Sequence, residues 1–401
     1  MKMFRNLILI STLIAGSLAA QSFPIVEPGE VGMDAGKLAR ADSVIEAAVK
    51  AEEIPGAVLL VMRQAKILHR KAYGFSMLIP ERKPMTVETV FDLASITKPV
   101  ATATSVMILL EKGYLRLLDP VDMYIDTFEP WIDPESGKKE RIRIWHLLTH
   151  TSGLPPYAPV KELEDKYGAP NPDSLMAYIS RVQRHSPPAT KFRYSCLNFI
   201  TLQRVVEHIT DMDLNTFSRH NIFEPLKMTH TRYKPGAGCA VTELIDEKPL
   251  DGVVHDPLAR IMMDCISGNA GLFSTADDLA RFAQMMLNLG ELDGSRILSP
   301  LTVQKMITVP DEVDFSGRAL GWDVDSDYSS NGGDIFPYGS YGHTGYTGTS
   351  IWIDPESSTV VIFLTNRVHP NDSGSVVRLR SLVANIVAAS IIDLNGKTEH
   401  D

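Results

Sequence analysis

Three cysteines in 401 residues, Cys196, Cys239 and Cys265, are too few for a disulfide framework. One pair plus a free thiol remains open. No Cys-x-x-Cys and no cluster of ligating side chains occurs, so neither a metal nor a cofactor is expected. His146 and His150 stand four apart in Trp145-His146-Leu147-Leu148-Thr149-His150, but no glutamate follows the first histidine as a zinc-protease helix requires. A structural role is expected for both. Positive charge is scarce: 39 Lys and Arg against 49 Asp and Glu give a net charge of −10. That argues against nucleic acid as a partner and gives no sign of attraction to anionic membranes. No Gly-x-Ser-x-Gly occurs, which disfavours a Ser-His-Asp hydrolase built on a nucleophile elbow. Internal repeats and low-complexity tracts are absent too.

What remains is an ordinary globular composition, 44% hydrophobic and 22% charged. The length exceeds what one core usually supports, so two packed lobes are expected. The N-terminus reads as a targeting segment: Lys2 and Arg5 are basic, 7–15 is apolar, and Ser17-Leu18-Ala19 or Leu18-Ala19-Ala20 offers small residues for cleavage. The apolar stretch is short for a membrane span. No cysteine follows it to carry a lipid. The expectation is a signal peptide at 1–20 and a periplasmic or secreted mature chain at 21–401, with an uncleaved anchor as the alternative.

Apolar and β-branched residues at 57–63 and 66–73, joined by a short polar turn, predict an antiparallel hairpin. A second is predicted from Thr349 to Asp354 and Thr359 to Thr365, across Pro355-Glu356-Ser357-Ser358. Helical periodicity covers Leu197 to Ile209, Asp277 to Leu289 and Val376 to Ile391. In the second of these, Ser274 and Asp277 fit a capping box, and Leu279, Phe282, Ala283 and Met286 form one stripe. Strands, then helices, then strands and a helix predict an α+β fold. Its central antiparallel sheet is built from both chain ends and flanked by helices. The α/β lobe would take about 21–95 and 300–401, and an inserted, mainly helical lobe about 96–299. The stretch Asp325 to Gly339, rich in Gly, Ser and Asp, is expected as a loop on a pocket rim.

Ser95-Ile96-Thr97-Lys98 opens a long apolar pattern that carries Val100, Met107, Leu109 and Leu110 and stops at Gly113. Spacing of three puts Ser95 and Lys98 on one helix face, a turn apart. A serine hydroxyl needs an adjacent base to become a nucleophile. A lysine serves as that base when burial or nearby positive charge lowers its pKa. Pro99 is tolerated in a first turn, which places Ser95 at the helix N-terminus, where free N–H groups favour an oxyanion. Two further segments bear on this pair. In Lys191-Phe192-Arg193-Tyr194-Ser195-Cys196-Leu197-Asn198, Tyr194 sits at a loop-to-helix junction, where it can relay a proton. In Gly342-His343-Thr344-Gly345-Tyr346-Thr347-Gly348-Thr349, a glycine-rich strand edge lets substrate backbone approach closely.

In this order, Ser-x-x-Lys, a tyrosine motif and a His-Thr-Gly strand resemble the serine β-lactamase and penicillin-binding-protein family, most closely its class C branch with D-alanyl-D-alanine carboxypeptidases and related esterases. Leu147-Leu148-Thr149-His150-Thr151-Ser152-Gly153-Leu154-Pro155, Pro225-Leu226-Lys227-Met228-Thr229 and Ala270-Gly271-Leu272-Phe273-Ser274 look like that branch too. The resemblance covers nearly all of the mature chain. It implies Ser95 as the acylated nucleophile, Lys98 and Tyr194 sharing the base and acid roles, and the N–H groups of Ser95 and Tyr346 as oxyanion hole. It further implies His343, Thr344, Gly345 and Cys196 at the substrate. The chain departs from the family twice. Cys196 replaces the asparagine of Tyr-x-Asn, with Asn198 two residues on expected to face elsewhere, and His343 replaces a lysine, which makes a weaker carboxylate anchor. Both suit a peptidase or esterase better than an efficient β-lactamase. The substrate implied is a small peptide, amide or ester, such as a peptidoglycan stem peptide. A non-catalytic penicillin-binding or sensor protein is the reading from another class.

Overall fold

The structure, a computed structural model, describes residues 23–394. The expected targeting segment lies outside them. Six strands form one antiparallel sheet: β1 (Gly56–Arg63), β2 (Lys66–Met77), β3 (Lys83–Pro84), β4 (Tyr341–Thr344), β5 (Ser350–Asp354) and β6 (Thr359–Thr365), in the order β4-β5-β6-β1-β2-β3. The two predicted hairpins meet where β1 pairs β6, with Ala57 opposite Thr365 and Arg63 opposite Thr359. Thus both chain ends build the sheet, as the order of patterns predicts.

The β1 segment Ala-Val-Leu-Leu-Val-Met is apolar throughout because both of its faces are covered. Ala57, Leu59 and Val61 face one core, with Trp352 and Phe363. Val58, Leu60 and Met62 face the other, with Ile351 and Ile362. Five helices matter for the site: α1 (Arg40–Lys50), α2 (Thr104–Glu111), α3 (Cys196–Thr210), α4 (Ala276–Leu287) and α5 (Val377–Ser390). On the first face, α1 and α5 bury Ala41, Ile45, Leu379, Val383 and Val387. The second face carries α4, which packs on β1, β5 and β6 through the expected stripe that includes Leu279 and Phe282. Although α4 falls in the stretch expected for the helical lobe, it lies on the sheet, so the inserted helices end before it. Its cap differs by one residue: Thr275, not Ser274, accepts the Asp278 N–H. Among the described residues, no helix is long and apolar enough to cross a membrane.

Candidate active site

The turn carrying Ser95 leaves the short strand Phe91–Asp92 and enters α2 through irregular winding. Ala94–Ile96 is a 3-10 turn, and Lys98–Ala103 is wound as a π-helix around Pro99, which has no N–H to donate. Ala94 holds φ 45°, a left-handed conformation that disfavours any side chain with a Cβ. Buried contacts hold it there. Asp92 accepts the N–H groups of Ala94 at 2.8 Å and His255 at 2.7 Å. The carbonyls of Asp92 and Leu93 accept the hydroxyls of Thr347 and Thr349 at 2.7 and 3.0 Å. The nucleophile turn and the loop after β4 are thereby locked together.

Lys98 is fully buried. Its Nζ donates to Ser95 Oγ at 2.9 Å, to the Asn269 carbonyl at 2.8 Å and to Cys196 Sγ at 3.7 Å. Three donors meeting three acceptors suit the ammonium form. Burial, the largest single influence, pushes the Lys98 pKa down, but Cys196, Tyr194 and Asp256 together pull harder, and the net direction is up. The site therefore does not lower the Lys98 pKa, as a resting lysine base would require. Burial also pushes the Cys196 thiol up.

Tyr194 precedes α3, whose N-cap is Ser195. Its ring stacks on His150 at 4.3 Å and lies 5.0 Å from Lys98 Nζ. His150 accepts the Ser195 N–H at 3.1 Å, with Asn198 Nδ2 3.2 Å from the same Nδ1. Asn198 therefore braces His150, away from the cavity, as expected. On β4, His343 is 3% exposed and its Nδ1 lies 2.9 Å from the Thr344 carbonyl oxygen. A carbonyl only accepts, so the proton is assigned to Nδ1 and Nε2 is left with a lone pair. Burial, then Arg318 and Lys98, hold His343 well below its ordinary pKa, so the imidazole is neutral.

Gly345 has no room for a Cβ, which would sit 2.2 Å from Thr349 Oγ1 and 2.3 Å from the Leu93 carbonyl. That close approach is why glycine stands here. Tyr346 is 59% exposed, stacks on His255 at 5.6 Å and donates its hydroxyl to Asp372 at 2.7 Å. Ser95, Tyr194, His343, Thr344, Gly345 and Tyr346 all line one cavity of about 430 Å³. Tyr328 and Asn331 add the expected rim from the 325–339 loop. Cys196 is half-buried, and its thiol accepts from Lys98 Nζ at 3.7 Å. Three further residues complete the site: Asn269, whose carbonyl orients Lys98, and the wall residues Arg318 and Arg380. Arg380 donates to the Gly345 and Thr349 carbonyls at 2.7 and 2.8 Å. No local pattern marks any of the three.

The family model described as Beta-lactamase matches residues 41–385. A Bacillus subtilis N-acetylmuramyl-L-alanine amidase is 33% identical over 362 residues, covering 83% of this chain and 81% of that protein. A Salmonella enteritidis protein, provisionally named D-alanyl-D-alanine carboxypeptidase, is 30% identical over 415 residues, covering 96% and 95%. Among solved structures, EstCE1, a hydrolase with promiscuous acyltransferase activity, shares the fold with TM-score 0.72 and 24% identity, covering 88% of this chain and 99% of its own.

Proposed function

The chain belongs to the beta-lactamase family of serine hydrolases, and on that premise we propose that it cleaves a D-alanyl-D-alanine-type peptide through an acyl-enzyme on Ser95. The observation that carries this reading is the 2.9 Å hydrogen bond from Lys98 Nζ to Ser95 Oγ, beside a cavity bounded by the His343-Thr344-Gly345 strand. Ser95 Oγ attacks the substrate carbonyl while the Lys98 ammonium lowers the cost of the forming alkoxide. Tyr194 relays the proton: its phenol gives its own proton to the departing amine as it takes the Ser95 hydroxyl proton. The N–H groups of Ser95 and Tyr346 hold the oxyanion, and the Tyr346 N–H has no acceptor among the described residues. Neutral His343 accepts a substrate N–H through Nε2. Water then releases the acyl group by the same steps in reverse. Lys2 and Arg5 ahead of the apolar 7–15 stretch support export of the chain.

One observation favours carboxylesterase as a second reading: Cys196 faces Lys98, so no side-chain amide from that position reaches a substrate carbonyl. A weak β-lactamase activity is compatible with the same site. Comparing kcat/KM on a D-alanyl-D-alanine peptide, a p-nitrophenyl ester and nitrocefin separates the three. The peptide is expected to lead, with all turnover lost in Ser95→Ala. Ester turnover with no peptide release would favour the second reading, and a fully active Ser95→Ala would contradict both.

A further inference from the structure

We propose that Arg380 is a positioning residue: it grips the Gly345 carbonyl and so aims the Tyr346 N–H at the oxyanion formed when Ser95 attacks. This rests on the reading of Ser95 as nucleophile and names what fixes one of its two oxyanion donors. A trans peptide is planar, so its C=O and N–H point in opposite directions. A group that holds the Gly345 carbonyl therefore sets the direction of the Tyr346 N–H.

Arg380 stands on α5 and is 7% exposed. Its Nη2 donates to the Gly345 carbonyl at 2.7 Å and to the Thr349 carbonyl at 2.8 Å, the two ends of the turn that carries Tyr346. The turn also closes on itself: the Gly345 N–H donates to the Thr349 carbonyl at 2.7 Å and the Gly348 N–H to the Gly345 carbonyl at 3.1 Å. Two donors thus hold the Gly345 carbonyl, while the N–H at the other side of the same peptide has no acceptor among the described residues. Nη1 of Arg380 reaches the Asn331 amide oxygen at 3.1 Å. Every one of these acceptors is an amide oxygen, and among the described residues no carboxylate pairs with Arg380. Burial, then Arg367, pushes its pKa down to about 9. A buried cation without a counter-ion is costly, and the cost is offset here only by the turn it holds. A charged donor on the carbonyl also polarises the peptide, which makes its N–H a stronger donor to a negative oxygen. The next peptide is fixed separately. Arg367 Nε donates to the Tyr346 carbonyl at 3.0 Å, its guanidinium lies 4.6 Å from the Tyr346 ring, and Asp372 accepts from both side chains.

The test pairs the affinity of phenylboronic acid, by calorimetric titration, with kcat and KM for a p-nitrophenyl ester. Ser95 Oγ gives a lone pair to boron, its proton passes to the buffer, and no group leaves. The tetrahedral anion so formed puts an oxygen where the oxyanion sits. In Arg380→Met, phenylboronic acid should bind about 10–100-fold more weakly. Ester kcat/KM should fall by about 10²–10³, with the loss in kcat rather than KM. Arg380→Gln, too short to reach both carbonyls but polar in the same buried place, should show the same pattern and answers the question if the methionine variant does not fold. Boronate affinity within about threefold of the wild type in a folded variant overturns the proposal. So does a loss confined to KM, which would put Arg380 on the substrate itself. Equal boronate binding by the wild type and Ser95→Ala overturns the reading of Ser95, and this inference with it.

Discussion

Lys98 gives the sharpest residue-scale expectations, because all three of its donors are used. Lys98→Met should lower kcat/KM by about 10²–10⁴, the usual worth of a positioned acid or base, in steady-state assays on the best substrate. Lys98→Arg should not rescue it, since a planar fork cannot meet these three acceptors at once. A rescue would assign Lys98 a role as bulk positive charge alone. At Cys196 the expectation is a gain: Cys196→Asn restores the amide of the Tyr-x-Asn pattern. Turnover of an amide relative to an ester should rise about tenfold, the value of one good hydrogen bond. An unchanged ratio would show that position 196 does not reach the substrate even with the longer side chain.

At the scale of elements, the nucleophile turn and the end of β4 form one unit, with Gly345 at the closest approach. Gly345→Ala should remove most activity while the urea midpoint moves little more than for an ordinary core substitution. A variant with wild-type kcat would mean that the two segments need not touch. As a contrast, Thr275→Ala removes the cap of α4 and should cost about 1 kcal/mol of unfolding free energy with kcat unchanged. The hairpins and α3, α4 and α5 were legible because alternation and 3.6-residue periodicity are local signals. The site was legible only in part. Ser95, Tyr194 and His343 sit in short motifs, but the left-handed Ala94 and the π-winding after Lys98 answer to tertiary contacts of Asp92, Leu93 and Pro99. Arg318, between Gly317 and Ala319, looks like any surface arginine until the fold closes three rings around it.

For the whole molecule, buried neutral histidines set a pH dependence of stability. Burial first, then nearby positive charge, lowers His150 and His343 well below their ordinary range, and burial with Arg143 lowers His146 to about 3. The unfolded chain binds these protons below pH 6.5 while the folded state refuses them. Stability is therefore present above that pH and is lost as the pH falls towards about 3. Each histidine steepens the loss by up to ~1.4 kcal/mol per pH unit. Urea midpoints at pH 7 and 5 should show it, and replacing His146 by Gln should flatten the slope. The most direct test of the central claim is peptide mapping by mass spectrometry after fluorophosphonate treatment. A single adduct on Ser95, absent from Ser95→Ala and slowed in Lys98→Met, is the predicted result. An adduct on any other residue, or equal labelling of Ser95→Ala, would contradict it.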